Sequence, residues 1–312
     1  MTATQPITGP GTESSEQPGV TGSPSGGRKP GGDARETLYF ALRNPKVIIG
    51  MVVVLGFLLL GLIGPMFLRY APMDYAGPPM APPSADFPFG TTTFGQDVFA
   101  QFVAGLRSTF LVGLLGGGVS AVIGMTIGFV AGYRGGLIDE LLNMLTNVVL
   151  VIPGFVVLII INAYLGVRSV PMQALYIGVF SWPWVARAVR AQTLSLRTRD
   201  FIDLARLSGV GVGTILRREV APNMYSYLFM TFVLLFGGSI LTAASLDFIG
   251  LGPTNAMSLG LMMNQAVQWS ALHLGLWWWF VPPGLGITLI VGSLYIMNVG
   301  LDEVFNPKLR EM

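Results

Sequence analysis

The sequence predicts an all-α integral membrane protein of six transmembrane helices. Three observations carry this. Of 312 residues, 52% are hydrophobic and 11% charged, where a soluble domain carries about 25% charged residues. Six apolar stretches approach the length needed to cross a hydrocarbon core of about 30 Å, which is about 20 helical residues. Lysine and arginine gather on one side of the topology those stretches define. The charge deficit excludes a soluble two-domain enzyme, the ordinary reading of a chain this long.

Residues 1–36 are Gly, Pro, Ser, Thr and Glu with few apolar side chains, a composition that predicts a disordered cytoplasmic tail. The tail holds no apolar h-region and is not read as a cleaved signal peptide. Residues 37–105 form the next unit. ETLYFALRN (36–44) places Leu38, Tyr39 and Leu42 on one helical side, either a helix lying in the membrane interface or a plain lead-in to the first span. Val47 to Phe67 is 21 residues without a charge, the first span. A polar, Pro-rich loop outside the bilayer follows to residue 105.

The unit from 106 to 302 holds five further spans, near 109–132, 144–165, 172–189, 224–249 and 278–300. The first of these five carries Gly116, Ser120, Gly124, Gly128 and Gly132 at steps of four. Such a stripe lets a second helix approach closely, in a transporter core or in any bundle. The next contains Pro153, which removes a hydrogen bond and predicts a kink or local break. Asn147 and Asn162 in the same span call for protein or water beside them, and a broken helix of this kind can line a pathway. No carboxylate falls near the middle of a span, and Asp247 is read close to an outer end. That argues against a self-powered carrier, which places ionisable groups within the membrane. Trp277, Trp278, Trp279 and Phe280 read as an aromatic belt at the headgroup level, or else as an aromatic vestibule for a sugar or peptide. His273, in the same loop, reads as solvated. Residues 303–312 end the chain as a cytoplasmic tail.

With the amino terminus inside, fifteen of the eighteen lysines and arginines are cytosolic, and only Arg69, Arg107 and Arg168 lie outside. The basic loop between the fourth and fifth spans, Arg187 to Asn223, holds seven of the fifteen. Within it Phe201, Leu204, Ala205 and Ser208 recur at helical spacing, Gly209 is placed to end that helix in a left-handed conformation, and a second short helix from about Thr214 is stopped by Pro222. A half-apolar hairpin outside the membrane needs something to pack on, either lipid headgroups or a protein partner. The glycines favour the protein.

This loop resembles the EAA loop of permease subunits of ATP-binding-cassette (ABC) importers, whose pattern is Glu-Ala-Ala, a glycine and a distant proline. Over about 190–222, Asp203, Leu204 and Ala205 match the triplet, Gly209 the glycine and Pro222 the proline. Asp shortens the charged arm and Leu enlarges the packing surface. FGTTTFGQDVFAQFVAGLRSTFLVGL (89–114), GFVAGYRGGLIDELLNMLTNVVLVIPGF (128–155) and SLDFIGLGP (245–253) resemble the dipeptide/oligopeptide/nickel permease group, C-type second subunit, and the likeness runs over roughly 38–310. Two departures, Ala243 where the group often has Glu and NVGLDEVFNPKLR (298–310) where it usually has a Gly-Asp pair, leave the cargo open among peptides, oligosaccharides and nickel.

The resemblance implies a type I ABC importer transmembrane domain in a bacterial or archaeal cytoplasmic membrane, with both termini cytoplasmic. It implies a homologous second permease, two cytosolic ATPases that bind ATP and magnesium, and an extracytoplasmic solute-binding protein. The matched loop residues would couple to the ATPases, and the chemistry would be alternating access. Lys29, Lys46 and Lys308 are followed by Pro, Val and Leu, so no P-loop is present. The chain is expected to be no enzyme. With no cysteine and one histidine, it is expected to hold no metal or other cofactor, and it lacks the basic-aromatic pattern of nucleic-acid binding. A secondary carrier or channel is the alternative of a different class.

Overall fold

The computed structural model describes residues 40–164 and 168–305. Leu38, Tyr39, the amino-terminal tail and residues 306–312 of the carboxy-terminal one lie outside them. The described residues form helices and one isolated antiparallel bridge, Thr91 to Asp97.

Helix α1 spans Pro45–Ile63 and tightens into a 3-10 turn, Gly64–Phe67. Asn44 starts it: its side chain accepts from the Lys46 and Val47 N–H groups, two donors that a helix start leaves free. The same side chain donates to Glu303, which also pairs with Lys46. α1 is thereby fastened to the last helix at its basic end.

Helix α2, Val98–Arg134, is the mast of the fold. At 37 residues it is longer than the expected 109–132, because Asp97 caps its start with a 2.8 Å bond from Phe99 N–H well before the apolar run begins. Helices α3 (Gly136–Val151) and α4 (Gly154–Tyr164) are bent by 71° at a break, where the sequence places Pro153. Helices α5 (Val170–Ser181) and α6 (Pro183–Arg197) then run along α2.

The small-residue stripe makes this last contact possible. A Cβ on Gly124 would lie 2.8 Å from Val185 Cβ, one on Gly128 2.7 Å from the Ala186 carbonyl, and one on Gly132 2.7 Å from Thr193 Cβ. Gly178 of α5 sits as closely on the Gly116 carbonyl. Residues four apart share a helix face, so the stripe is a continuous groove for α5 and α6.

The short helices α7 (Asp200–Leu207) and α8 (Val212–Ile215) form the hairpin. A wide π turn, Leu216–Val220, and a 3-10 turn at Pro222–Met224 lead into α9, Tyr225–Leu246. The backbone leaves the helical region at Met224, φ −130°, before α9 and at Gly250, φ +87°, after it. Helix α10 (Leu259–Gln268) is buried, and α11 (Trp277–Phe305) closes the bundle against α1, α9 and α10.

Among the described residues four helical segments are long and apolar enough to cross a membrane, and the bent pair α3–α4 makes a fifth. The expected six is not reached among them. The stretch 172–189 is split at Pro183: α5 has 12 residues, or about 18 Å, and α6 carries Arg187, Arg190 and Arg197. The aromatic belt also divides. Trp277 is exposed, Trp278 donates to the Thr91 carbonyl at 3.2 Å, and Trp279 is buried in the core. His273 is exposed in its loop, as expected.

Candidate functional site

The basic hairpin is held from behind. The guanidinium of Arg197, at the end of α6, donates to the Tyr133 carbonyl at 3.3 Å, one of the carbonyls that the last turn of α2 leaves without an N–H. Two turns earlier Arg190 forks onto Asp139 of α3 at 2.5 and 2.6 Å. α6 thus joins the ends of α2 and α3 before the chain turns into α7.

Asp200 and Asp203 occupy the first turn of α7, where negative charge complements the helix dipole. Ile202 is fully buried, packed with Ile215, Val220, Met224, Val185, Val189 and Tyr133. Burying an isoleucine is worth about 1.5–3 kcal/mol, and this one seats the hairpin on the membrane domain. The expected apolar face is therefore corrected. Phe201 and Ala205 pack against this cluster together with Ile202, while Leu204 is 65% exposed and Ser208 is exposed. Leu207 is 85% exposed. The helix turns its deepest anchor inward and leaves two leucines in water.

Gly209 adopts φ +74°. Its N–H donates to the Arg206 carbonyl at 3.0 Å, and that of Val210 to the Ala205 carbonyl at 3.1 Å, the bond pair of a Schellman motif. Arg206 bonds Asp203 at 2.9 Å and the Tyr133 hydroxyl at 3.2 Å, with its guanidinium 5.1 Å from the Tyr133 ring centroid. The Tyr133 hydroxyl, first among the groups around it, holds that guanidinium still more firmly protonated. Between the hairpin and the end of α2 lies an open groove of about 470 Å³, lined by Tyr133, Arg134, Arg206, Gly209, Val210, Val212 and Ile215.

Asp203, Leu204, Ala205 and Gly209 thus fall on one hairpin. Pro222 lies apart, exposed where the chain rejoins α9, and the second helix of the hairpin does end before it. Leu216–Val220 widens to i→i+5 bonding, Ala221 N–H reaches the Leu216 carbonyl at 2.8 Å, and Asn223 covers the Glu219 carbonyl at 2.6 Å. A 3-10 turn at Pro222–Met224 and non-helical backbone at Met224, φ −130°, separate it from α9.

Asp247 stands at the end of α9, where the sequence placed it, but its burial was not read from the sequence. It is 2% exposed, and its carboxylate accepts from Gln173 of α5 at 2.6 Å and from Ser258 at 2.5 Å. The Ser258 hydroxyl also caps α10, accepting from Leu261 N–H at 3.1 Å. A buried carboxylate so satisfied clasps α5, the end of α9 and the start of α10. The SLDFIGLGP signature around it was the available signal. Among the described residues no group of three or more potential ligands could hold a metal ion.

The family described as the binding-protein-dependent transport system inner membrane component matches residues 124–311, which include the hairpin and the clasp. A dipeptide transport system permease protein of Alkalihalophilus pseudofirmus is 30% identical over 88% of this chain and 90% of its own. A peptide permease protein of Brucella suis is 32% identical, over 86% and 88%, and a peptide transport system permease protein of Brucella abortus is 30% identical, over 86% and 90%. A basic hairpin seated on a glycine-packed helical bundle, matched over more than half of the chain, places it: the chain belongs to the inner membrane components of binding-protein-dependent transport systems, the permease subunits of ABC importers.

Proposed function

We propose that this chain forms half of a translocation pathway for small peptides, paired with a homologous second permease. The observation that carries the coupling role is the exposed edge of Leu204 and Leu207 on a hairpin whose rear, Ile202, is fixed in the bundle. Two cytosolic ATPase subunits, which bind ATP and magnesium, dock on that edge. An extracytoplasmic solute-binding protein delivers the solute at the opposite face. The membrane is a bacterial or archaeal cytoplasmic membrane with both termini in the cytosol. Closure of the ATPases pushes the hairpin, and α9 beyond the Pro222 joint carries the push toward the outer face, so that the passage opens to each side in turn. In this chain Asp203, Leu204, Ala205 and Gly209 dock and transmit force, and Pro222 sits at the joint.

The names of the relatives support peptides as the solute. Uptake by cells with and without this chain tests it, with dipeptides, oligosaccharides and nickel as competitors. Dipeptides are expected to compete, and competition by oligosaccharide or nickel alone would move the cargo while leaving the machinery. For docking, Leu207→Asp is expected to cost about 2 kcal/mol or more, roughly a thirtyfold loss in affinity. The ATPase subunits should then fail to copurify with a permease present at normal level. Undiminished copurification of the double variant Leu204→Asp/Leu207→Asp would refute the docking edge.

A further inference from the structure

The break between α3 and α4 interrupts the backbone hydrogen-bond ladder. A helix leaves its last four carbonyls without intrahelical donors, and hydrocarbon offers none. Here the helix ends at Val151, Ile152 turns extended at ψ 127°, and Pro153 has no N–H. The next helical bonds, from Val156 and Val157, return to the Pro153 carbonyl and not to α3. Val151 at this end is 84% exposed, and Ile152, Phe155 and Val156 are exposed as well. Only Thr146 of α3 and Leu158 and Asn162 of α4 are buried.

A second observation points the same way. Asp139, Asn143, Asn147 and Val151 follow one another at steps of four, one polar face running up to the break. Arg187 of α6 donates to Asn147 at 2.8 Å, one turn below Val151. Arg187 is exposed, and among the described residues it forms no ion pair. A guanidinium of the basic loop drawn two turns up α3 from Asp139, toward a candidate span, calls for water beside it. The first helix supplies the contrast: α1 is equally exposed, but its apolar run is unbroken and free of polar side chains between Val47 and Phe67, as a lipid-facing helix should be.

We infer that Arg187, Asn147 and the carbonyl end of α3 line an aqueous passage through the assembled transporter. Resting on the peptide reading above, the same groups match a short peptide: the guanidinium its carboxylate, the free carbonyls its ammonium and amide N–H groups. Backbone carbonyls recognise those donors whatever the side chains.

The chain has no cysteine, so single cysteines report cleanly. Val151→Cys and Ile152→Cys, with Leu59→Cys of α1 as the lipid-facing reference, are placed in the complete transporter in open membranes and treated with a permanently charged thiol reagent, which attacks thiolates. Thiolates form in water, so labelling at 151 and 152 is expected to be at least about tenfold faster than at 59. The labelled protein should also lose uptake of whichever solute the unlabelled parent carries. Labelling no faster than at 59, or fast labelling with undiminished uptake, would overturn the passage. Neither readout depends on the solute being a peptide, which the competition assay decides separately.

Discussion

Gly209→Val is expected to abolish coupled uptake while the protein still reaches the membrane at its normal level. The glycine holds φ +74°, a region that costs an L-residue about 1–2 kcal/mol and a β-branched one more. No atom lies within 4 Å of a Cβ built there, so the effect is one of backbone conformation and not of collision. Valine would release the bonds from Gly209 and Val210 onto α7, and the Leu204–Leu207 edge would swing away from the seat that Ile202 fixes. The penalty is small beside a folding free energy of about 5–15 kcal/mol, which is why the bundle survives. Gly209→Asn, which tolerates the left-handed region, should retain more activity. Gly211→Ala should be close to the parent, because Gly211 has φ −66° and open space around it. Uptake and ATP hydrolysis measured together on the reconstituted transporter decide it: hydrolysis without uptake is the expected valine result, and parental uptake would refute the role.

The second large effect concerns packing. Gly128→Leu is expected to leave almost no folded protein in the membrane, and Gly128→Ala a reduced amount. Even the alanine Cβ would stand 2.7 Å from the Ala186 carbonyl, 2.7 Å from Val189 Cβ and 3.0 Å from Arg190 N. Two of these three are backbone atoms of α6, so relief requires moving a whole helix away from α2. Overpacking of this kind costs about 1–3 kcal/mol where side chains can yield, and here they cannot. Gly118, on the same helix with nothing within 4 Å, is the control and should accept alanine without loss. Membrane abundance and thermal aggregation in detergent distinguish them. Equal stability of the two alanine variants would refute the interface.

What was legible in the sequence follows from which interactions are local. The α2 stripe could be read because a step of four keeps residues on one face whatever packs there. Gly209 could be read because a helix end has its own chemistry. The facing of α7 could not: Leu204 and Ile202 are both apolar, and periodicity does not separate a side chain buried in this chain from one kept for another. The burial of Asp247 could not be read because it depends on Gln173, 74 positions away in sequence, and on Ser258. Hydropathy also passed over the split at Pro183 and the buried α10, since averaging across a window smooths a break and does not separate a buried short helix from an apolar loop.

One feature of α9 sets the mechanical character of the molecule. The α-helix Tyr225–Leu246 has 22 residues, about 33 Å of axial length. One end rises from the hairpin and the other carries the Asp247 clasp. A π turn lies beyond each end, Leu216–Val220 and Asp247–Leu251, and the backbone leaves the helical region at Met224 and Gly250. Such turns are less tightly wound than the α-helix between them. The arrangement is that of a connecting rod with a compliant bearing at either end. On the proposed coupling, displacement of the hairpin tip would become torque on the carboxylate that ties three helices together.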